Sequence, residues 1–166
     1  MLAAHFRTMA AYNRWANRRL YDAAARLSDA AYRADRGAFF FRSLHSTLNH
    51  ILVTDRIWMK QLTGRGDAPD ALDTILYERL ADLTVAREEE DERIGAHVAR
   101  LDNAALAQTL TYRNMKGAEF TNTLSELLAH LFNHQTHHRG QAHAILTSLG
   151  QDAPSFDLIQ FYRAKP

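Results

Sequence analysis

No cysteine occurs among the 166 residues. That single absence excludes disulfides, thiolate zinc fingers, iron–sulfur clusters and a cysteine nucleophile. An excess of one charge is also missing: 20 Lys+Arg stand against 19 Asp+Glu, a formal net charge of +1. A general nucleic-acid binder needs clustered excess cation to displace phosphate counterions, so no nucleic-acid partner is expected. Apolar runs fall far short of the roughly 18–20 residues of a membrane span, and no membrane association is expected either. The first residues carry His5, Arg7, Arg14, Arg18 and Arg19 with no apolar stretch behind them, unlike a secretory signal. A cytoplasmic location is the expectation.

Chain breakers are scarce too, with seven Gly and three Pro. Long stretches rich in Ala, Leu, Arg and Glu without either residue favour long helices over a sandwich of short strands. The length suits one domain, residues 1–166. A first helix is expected over residues 2–27, with Ser28 and Asp29 as turn or cap residues and a connector over 31–41. The second helix is expected over 42–62, ahead of the breakers Gly64, Gly66 and Pro69. The third is expected over 74–101, with Asp73 as its N-cap and a seam of Leu76, Leu80, Leu83, Ile94, Val98 and Leu101. Positions 87 and 90 of that seam hold Arg87 and Glu90. The run 87–93 reads as a solvated, self-paired face, with an inward Glu90 as the alternative.

Residues 110–122 read as a short hairpin or an irregular crossover. Thr121 or Thr123 then caps a fourth helix reaching about Leu149, with Gly150 as the stop. An irregular tail follows, packed through Phe156, Ile159, Phe161 and Tyr162. The fold class is all-α: a four-helix bundle with a long crossover connection.

What the sequence has in abundance is histidine, nine in all. Five lie within residues 130–143: His130, His134, His137, His138 and His143. Side chains four apart share a helix face, close enough for two imidazoles to reach one ion. On a helical wheel His138 falls inside the stripe of Leu127, Leu131, Ile145 and Leu149, and His134 lies at its edge. His130 and His137 sit at the boundary, and His143 lies opposite, toward solvent. Buried imidazoles need partners, which makes His134 and His138 the inward pair. A third ligand must come from another helix. His45 and His50 flank the apolar face of the second helix on opposite sides, and periodicity does not choose between them.

Three segments carry a family resemblance: "YNRWANRRL" from Tyr12, "SLHSTLNHILVTDRIWMKQLTG" from Ser43, and "HLFNHQTHHRGQ" from His130. With them the chain resembles the DinB/YfiT-like superfamily of small metal-binding four-helix bundles. The resemblance implies a divalent ion, zinc or nickel, held by His50, His134 and His138. It also implies an open coordination position, and a metal-dependent enzyme acting on a small molecule. The reaction so implied is thiol-dependent transfer or isomerisation with a low-molecular-weight thiol as cosubstrate, or hydrolysis by water at the ion. It further suggests a homodimer. A non-catalytic dimeric bundle with a structural ion is the alternative, and a fourth ligand such as His130 or Glu90 would favour it. Gln141 and Glu90 are expected as partners for a histidine N–H, and Arg139 as a structural residue. Tyr12, Asn13, Trp15 and Asn17 are expected in the core, with a pocket lining as the alternative. Gln135 follows the first histidine of the pair, so the H-E-x-x-H of a zinc protease is missing. No paired Glu-x-x-His of a di-iron bundle occurs either.

Overall fold

The computed structural model describes residues 1–164. In chain order the elements are helix α1 (Leu2–Ala24), α2 (Asp29–Arg33), α3 (Leu44–Thr63), α4 (Leu80–Ala99) and α5 (Asn103–Leu106). Strands β1 (Thr109–Arg113) and β2 (Glu119–Thr123) follow, then α6 (Leu124–Ser148) and α7 (Leu158–Arg163). The fold is all-α apart from that one antiparallel hairpin. Among the described residues no helix is long and apolar enough to cross a membrane.

Four long helices form the body. Helix α1 packs on α4 and α6, and α3 packs on the same two, so α1 and α3 are diagonal. The long crossover expected before the last bundle helix is segment 100–123, which links the diagonal pair α4 and α6 and contains the hairpin. Segment 25–43 spans the other diagonal.

Local chemistry sets the element ends. Ser43 caps α3 by accepting from the Ser46 amide, and Gly64, at φ 67°, closes it in the left-handed region. Thr123, rather than Thr121, caps α6 in a reciprocal capping box with Glu126. Helix α1 stops at Ala24, short of the expected 27, and Ser28 starts α2, which takes up residues 31–33 of the expected connector.

Helix α4 begins at Leu80, six residues later than expected, and Asp73 caps nothing. The cause lies on α3. The Asn49 side-chain oxygen accepts from the amides of Leu76 and Tyr77 at 2.9 and 3.0 Å, and its nitrogen donates to the Tyr77 carbonyl at 3.1 Å. Amides held this way are spoken for, and the segment stays outside the helix. Leu76 and Leu80 still pack on the core.

The tail carries a short helix, α7. Phe161 is buried against Tyr12 and Trp15, whereas Ile159 and Tyr162 are 52% and 46% exposed, contrary to the expected packing. Leu158 and Phe161 share one face of the helix, and Ile159 and Tyr162 fall outside it.

Two large apolar clusters fill the bundle, and a third, of Tyr12, Ala16 and Phe161, joins the tail to α1. Of the large pair, one centres on Leu20, Leu48, Leu83 and Ile145, the other on Phe6, Met59, Ile94 and Phe132. A fully buried polar layer separates them in sequence on every long helix: Asn13 and Asn17, Asp55, Arg87 and Asp91, Gln135 and Arg139. Arg87 Nη1 lies 2.6 Å from Asp55 Oδ2, and Arg87 Nη2 lies 3.0 Å from Asp91 Oδ1. Gln135 donates to Asp55, and Asn17 donates to Asp91 at 3.0 Å. Arg139 donates to Asn13, to Asn17 at 3.2 Å and to Gln135 at 3.1 Å. The run 87–93 is therefore solvated in part only: Glu88, Glu89 and Glu92 are exposed, and the rest turns inward. Arg87, Glu90 and Asp91 are buried: Arg87 pairs with Asp55 of α3 and with Asp91, Asp91 accepts from Asn13 and Asn17 of α1, and Glu90 pairs with Arg93 and Arg56. Tyr12, Asn13 and Asn17 are core residues, as expected.

Candidate metal centre

His50 lies one and a half turns into α3, and His134 and His138 lie one turn apart on α6, the helix packed beside it. One ring nitrogen from each falls within 4.8 Å of the others. Ring centroids are 4.2 Å apart for His134 and His138, 4.4 Å for His50 and His138, and 5.2 Å for His50 and His134. His45 goes elsewhere: its Nε2 lies 3.2 Å from the Tyr77 carbonyl, and its ring meets Tyr32 edge-on.

The outer nitrogens are all engaged. His50 Nδ1 donates to the Leu72 carbonyl at 2.8 Å, and His138 Nδ1 donates to Gln141 Oε1 at 2.8 Å. The Gln141 amide nitrogen in turn lies 3.1 Å from His137 Nε2. Thr54 donates its hydroxyl proton to the His50 carbonyl, leaving its oxygen to accept from His134 Nδ1, 3.4 Å away. With the protons on Nδ1, each Nε2 holds a lone pair.

His50 Nε2 and His138 Nε2 face each other at 3.2 Å. Two lone pairs at that distance repel unless a cation stands between them. A proton is a poor candidate, because burial lowers the imidazole of His50 and pushes that of His138 down to about 4 and that of His134 down to about 3. Neighbouring histidines add to the shift at His134 and His138. A divalent ion suits neutral imidazoles, so this donor set fits a metal.

Phe41 closes one side of the cluster. It stacks on His50 at 4.0 Å between centroids and meets His138 edge-on at 5.5 Å. The turn that presents it is tied by the Arg36 amide to the Arg42 carbonyl and by an Arg42–Asp35 ion pair at 2.6 Å. Arg42 itself sits at φ 63°. Periodicity offers no signal for Phe41. The other side opens into a cleft of about 870 Å³, into which His50, Thr54, Trp58, His130 and His134 project beside the hairpin. Thr54 and Trp58 were legible in principle, standing four and eight residues after His50 on one face.

Other expected residues separate cleanly. Among the described residues the cluster has three members, and neither His130 nor Glu90 joins it. His130 stands in the cleft, its ring 5.0 Å from that of Trp58. Glu90 partners no histidine, being occupied by Arg93 and Arg56. Gln141 holds His138 as expected, and Arg139 serves the polar layer. His137 is exposed. His143, expected in solvent, is half-buried because the tail lays Phe156 against its ring.

No solved structure matches the chain with statistical significance. The protein DinB of Bacillus subtilis (strain 168) is 30% identical over 146 residues, covering 84% of this chain and 83% of that protein. The family model described as DinB family matches residues 1–165, a span that takes in the four long helices and all three clustered histidines. The chain therefore belongs to the DinB family.

Proposed function

We propose that this chain is a metal-dependent enzyme acting on a small molecule, with one divalent ion, zinc or nickel, held by His50, His134 and His138. The observation that carries the reading is a three-histidine cluster, without a fourth protein donor among the described residues, that opens into a cleft of ligand size. Imidazole donors suit both ions and do not select between them. A bound ion would acidify a thiol or water at its open position, which is the chemistry that thiol transfer or hydrolysis requires.

The chain's own residues supply the rest. The Leu72 carbonyl and Gln141 hold the Nδ1 protons, so each Nε2 keeps its lone pair at neutral pH. Phe41 excludes approach from its side, and a substrate enters past Trp58 and the hairpin. No side-chain thiol exists in the chain, so a thiol nucleophile must arrive as a cosubstrate.

Elemental analysis of the purified protein beside a His50→Ala, His134→Ala, His138→Ala variant tests the reading. Roughly one divalent ion per chain is expected in the wild type and none in the variant. Metal-dependent consumption of small thiols in the presence of electrophiles should vanish in His134→Ala. Protein that takes up neither zinc nor nickel would overturn the proposal.

A further inference from the structure

The chain uses lysine at only three positions, Lys60, Lys116 and Lys165, and arginine everywhere else. Lys165 lies outside the described residues. The other two both line the cleft beside the histidines. Lys60 stands on α3 and Lys116 at the tip of the hairpin, so two separate elements bring them to one cavity. Both are exposed, and among the described residues no carboxylate lies in ion-pair contact with either. The remaining lining cation, Arg113, is committed: it pairs with Glu119 at 2.6 Å and donates to the Gly117 carbonyl. The lining carboxylate is Asp70, two residues before the Leu72 carbonyl that holds His50. The lining thus carries one carboxylate, on the segment that supports His50, against lysines on α3 and on the hairpin.

Distance along α3 orders the features. Lys60 follows His50 by ten residues, about 15 Å at the α-helical rise of ~1.5 Å per residue. Three aromatic residues line the same cleft, Trp58, Tyr112 and Phe120. Trp58 meets Tyr112 edge-on at 5.3 Å, Tyr112 stacks on Phe120 at 6.0 Å, and Phe120 is 46% exposed on the cleft's rim. Met115, 46% exposed beside Lys116, adds a flexible apolar side chain to these rings, and the stacked Tyr112 and Phe120 faces suit a flat ligand.

We propose that the cleft binds an elongated, flat small molecule whose far end carries an anionic group, held by Lys60 and Lys116 against the Trp58, Tyr112 and Phe120 wall. The inference rests on the metal-enzyme reading only for which end of the ligand reacts, the end beside His50 and His134. The anion contact itself needs no metal. Ammonium groups without a partner supply long-range attraction and a point-charge contact, and the aromatic wall supplies the buried area. A neutral ligand of the same shape keeps the wall and loses the lysines.

Tryptophan emission reads this directly. Trp15 packs against Tyr12 and Phe161, away from the cleft, so a Trp15→Phe background leaves Trp58 as reporter. That protein, after treatment with chelator to remove any ion, is titrated with biphenyl-4-carboxylate and with biphenyl-4-carboxamide. Quenching of Trp58 by both is expected, with the carboxylate binding about fivefold tighter. Lys60→Ala with Lys116→Ala should erase that preference and leave the amide's affinity unchanged. Phe120→Ala should weaken both probes. Lys60→Gln with Lys116→Gln repeats the test should the alanine variant melt differently from its parent. Equal binding of the two probes, a preference that survives loss of both lysines, or no quenching at all would overturn the proposal. Zinc content of the untreated protein reports separately on the histidines.

Discussion

His50 and His138 turn their Nε2 atoms toward each other at 3.2 Å, while an oxygen acceptor holds the Nδ1 proton of each. The Leu72 carbonyl is main chain, so Gln141 is the member of this support that a substitution removes. Gln141→Leu should raise the zinc dissociation constant by about 10–100-fold. Gln141→Glu keeps an acceptor at the same place and should preserve affinity. Competition with a chromophoric chelator measures both, and an unchanged constant in Gln141→Leu would show that the contact does not orient the ring.

Acid should destabilise the metal-free protein through its histidines. Burial pushes His134 down to about 3 and His138 down to about 4, against about 6.5 for a free imidazole. Below pH ~6.5 the unfolded chain takes up protons that the folded chain refuses, so stability present above that pH is lost as the pH falls toward the folded values. Asp55 acts in the opposite sense. Burial lifts its carboxyl to about 7 against the pull of Arg87, so its contribution is present in acid and lost as the pH rises through 7. Comparison with a His134→Gln, His138→Gln variant cancels the Asp55 effect. The melting temperature of the wild type relative to that variant should fall by roughly 5 °C between pH 7 and pH 4.5. A difference that does not change with pH would contradict the assignment.

The polar layer predicts an asymmetry between single and multiple substitutions. Arg87→Met strands Asp55 and Asp91 without their shared cation and should cost about 3–5 kcal/mol in urea unfolding. Adding Asp55→Leu and Asp91→Leu removes the stranded carboxylates and should recover more than half of that loss. Equal stability of the single and triple variants would mean that the charges are hydrated rather than buried.

Asn49 ties the segment before α4 to α3. Asn49→Ala leaves the Leu76 and Tyr77 amides without their acceptor and should cost about 1–3 kcal/mol. Hydrogen exchange at those two amides should accelerate well before global unfolding. Unchanged protection there would show that other contacts hold the segment.

Much of this was legible in the residues themselves. The apolar stripe of α6 singled out His134 and His138, because a 3.6-residue period places a side chain by angle alone. The same period failed at His45 and His50, which lie on opposite flanks of α3. Only the tertiary partners, the Tyr77 carbonyl for one and the Leu72 carbonyl for the other, separate them. Arg87 and Glu90 were visible as gaps in the α4 seam. Reading Arg87 as solvated was natural, since its burial makes sense only with Asp55 on another helix. The late start of α4 was hidden for a similar reason: Asn49 is remote in sequence from the amides it holds. Phe41 sits in an aperiodic turn whose shape depends on Arg42 at positive φ, and no repeat announces it.

The bond from Gln135 to Asp55 joins the same two helices as the contact between His50 and His138. Hydrocarbon side chains alone would let α3 glide along α6, trading one leucine neighbour for another at little cost. A slide of one turn, about 5.4 Å, would carry Asp55 off both Gln135 and Arg87 and into an apolar half. The layer therefore works as a dowel through the bundle, setting the height of one helix against the next. His50 stands five residues from Asp55, and His134 and His138 stand one residue from Gln135 and one from Arg139. The three imidazoles meet at one level because a buried polar layer they never touch would lose its partners in a shifted alignment.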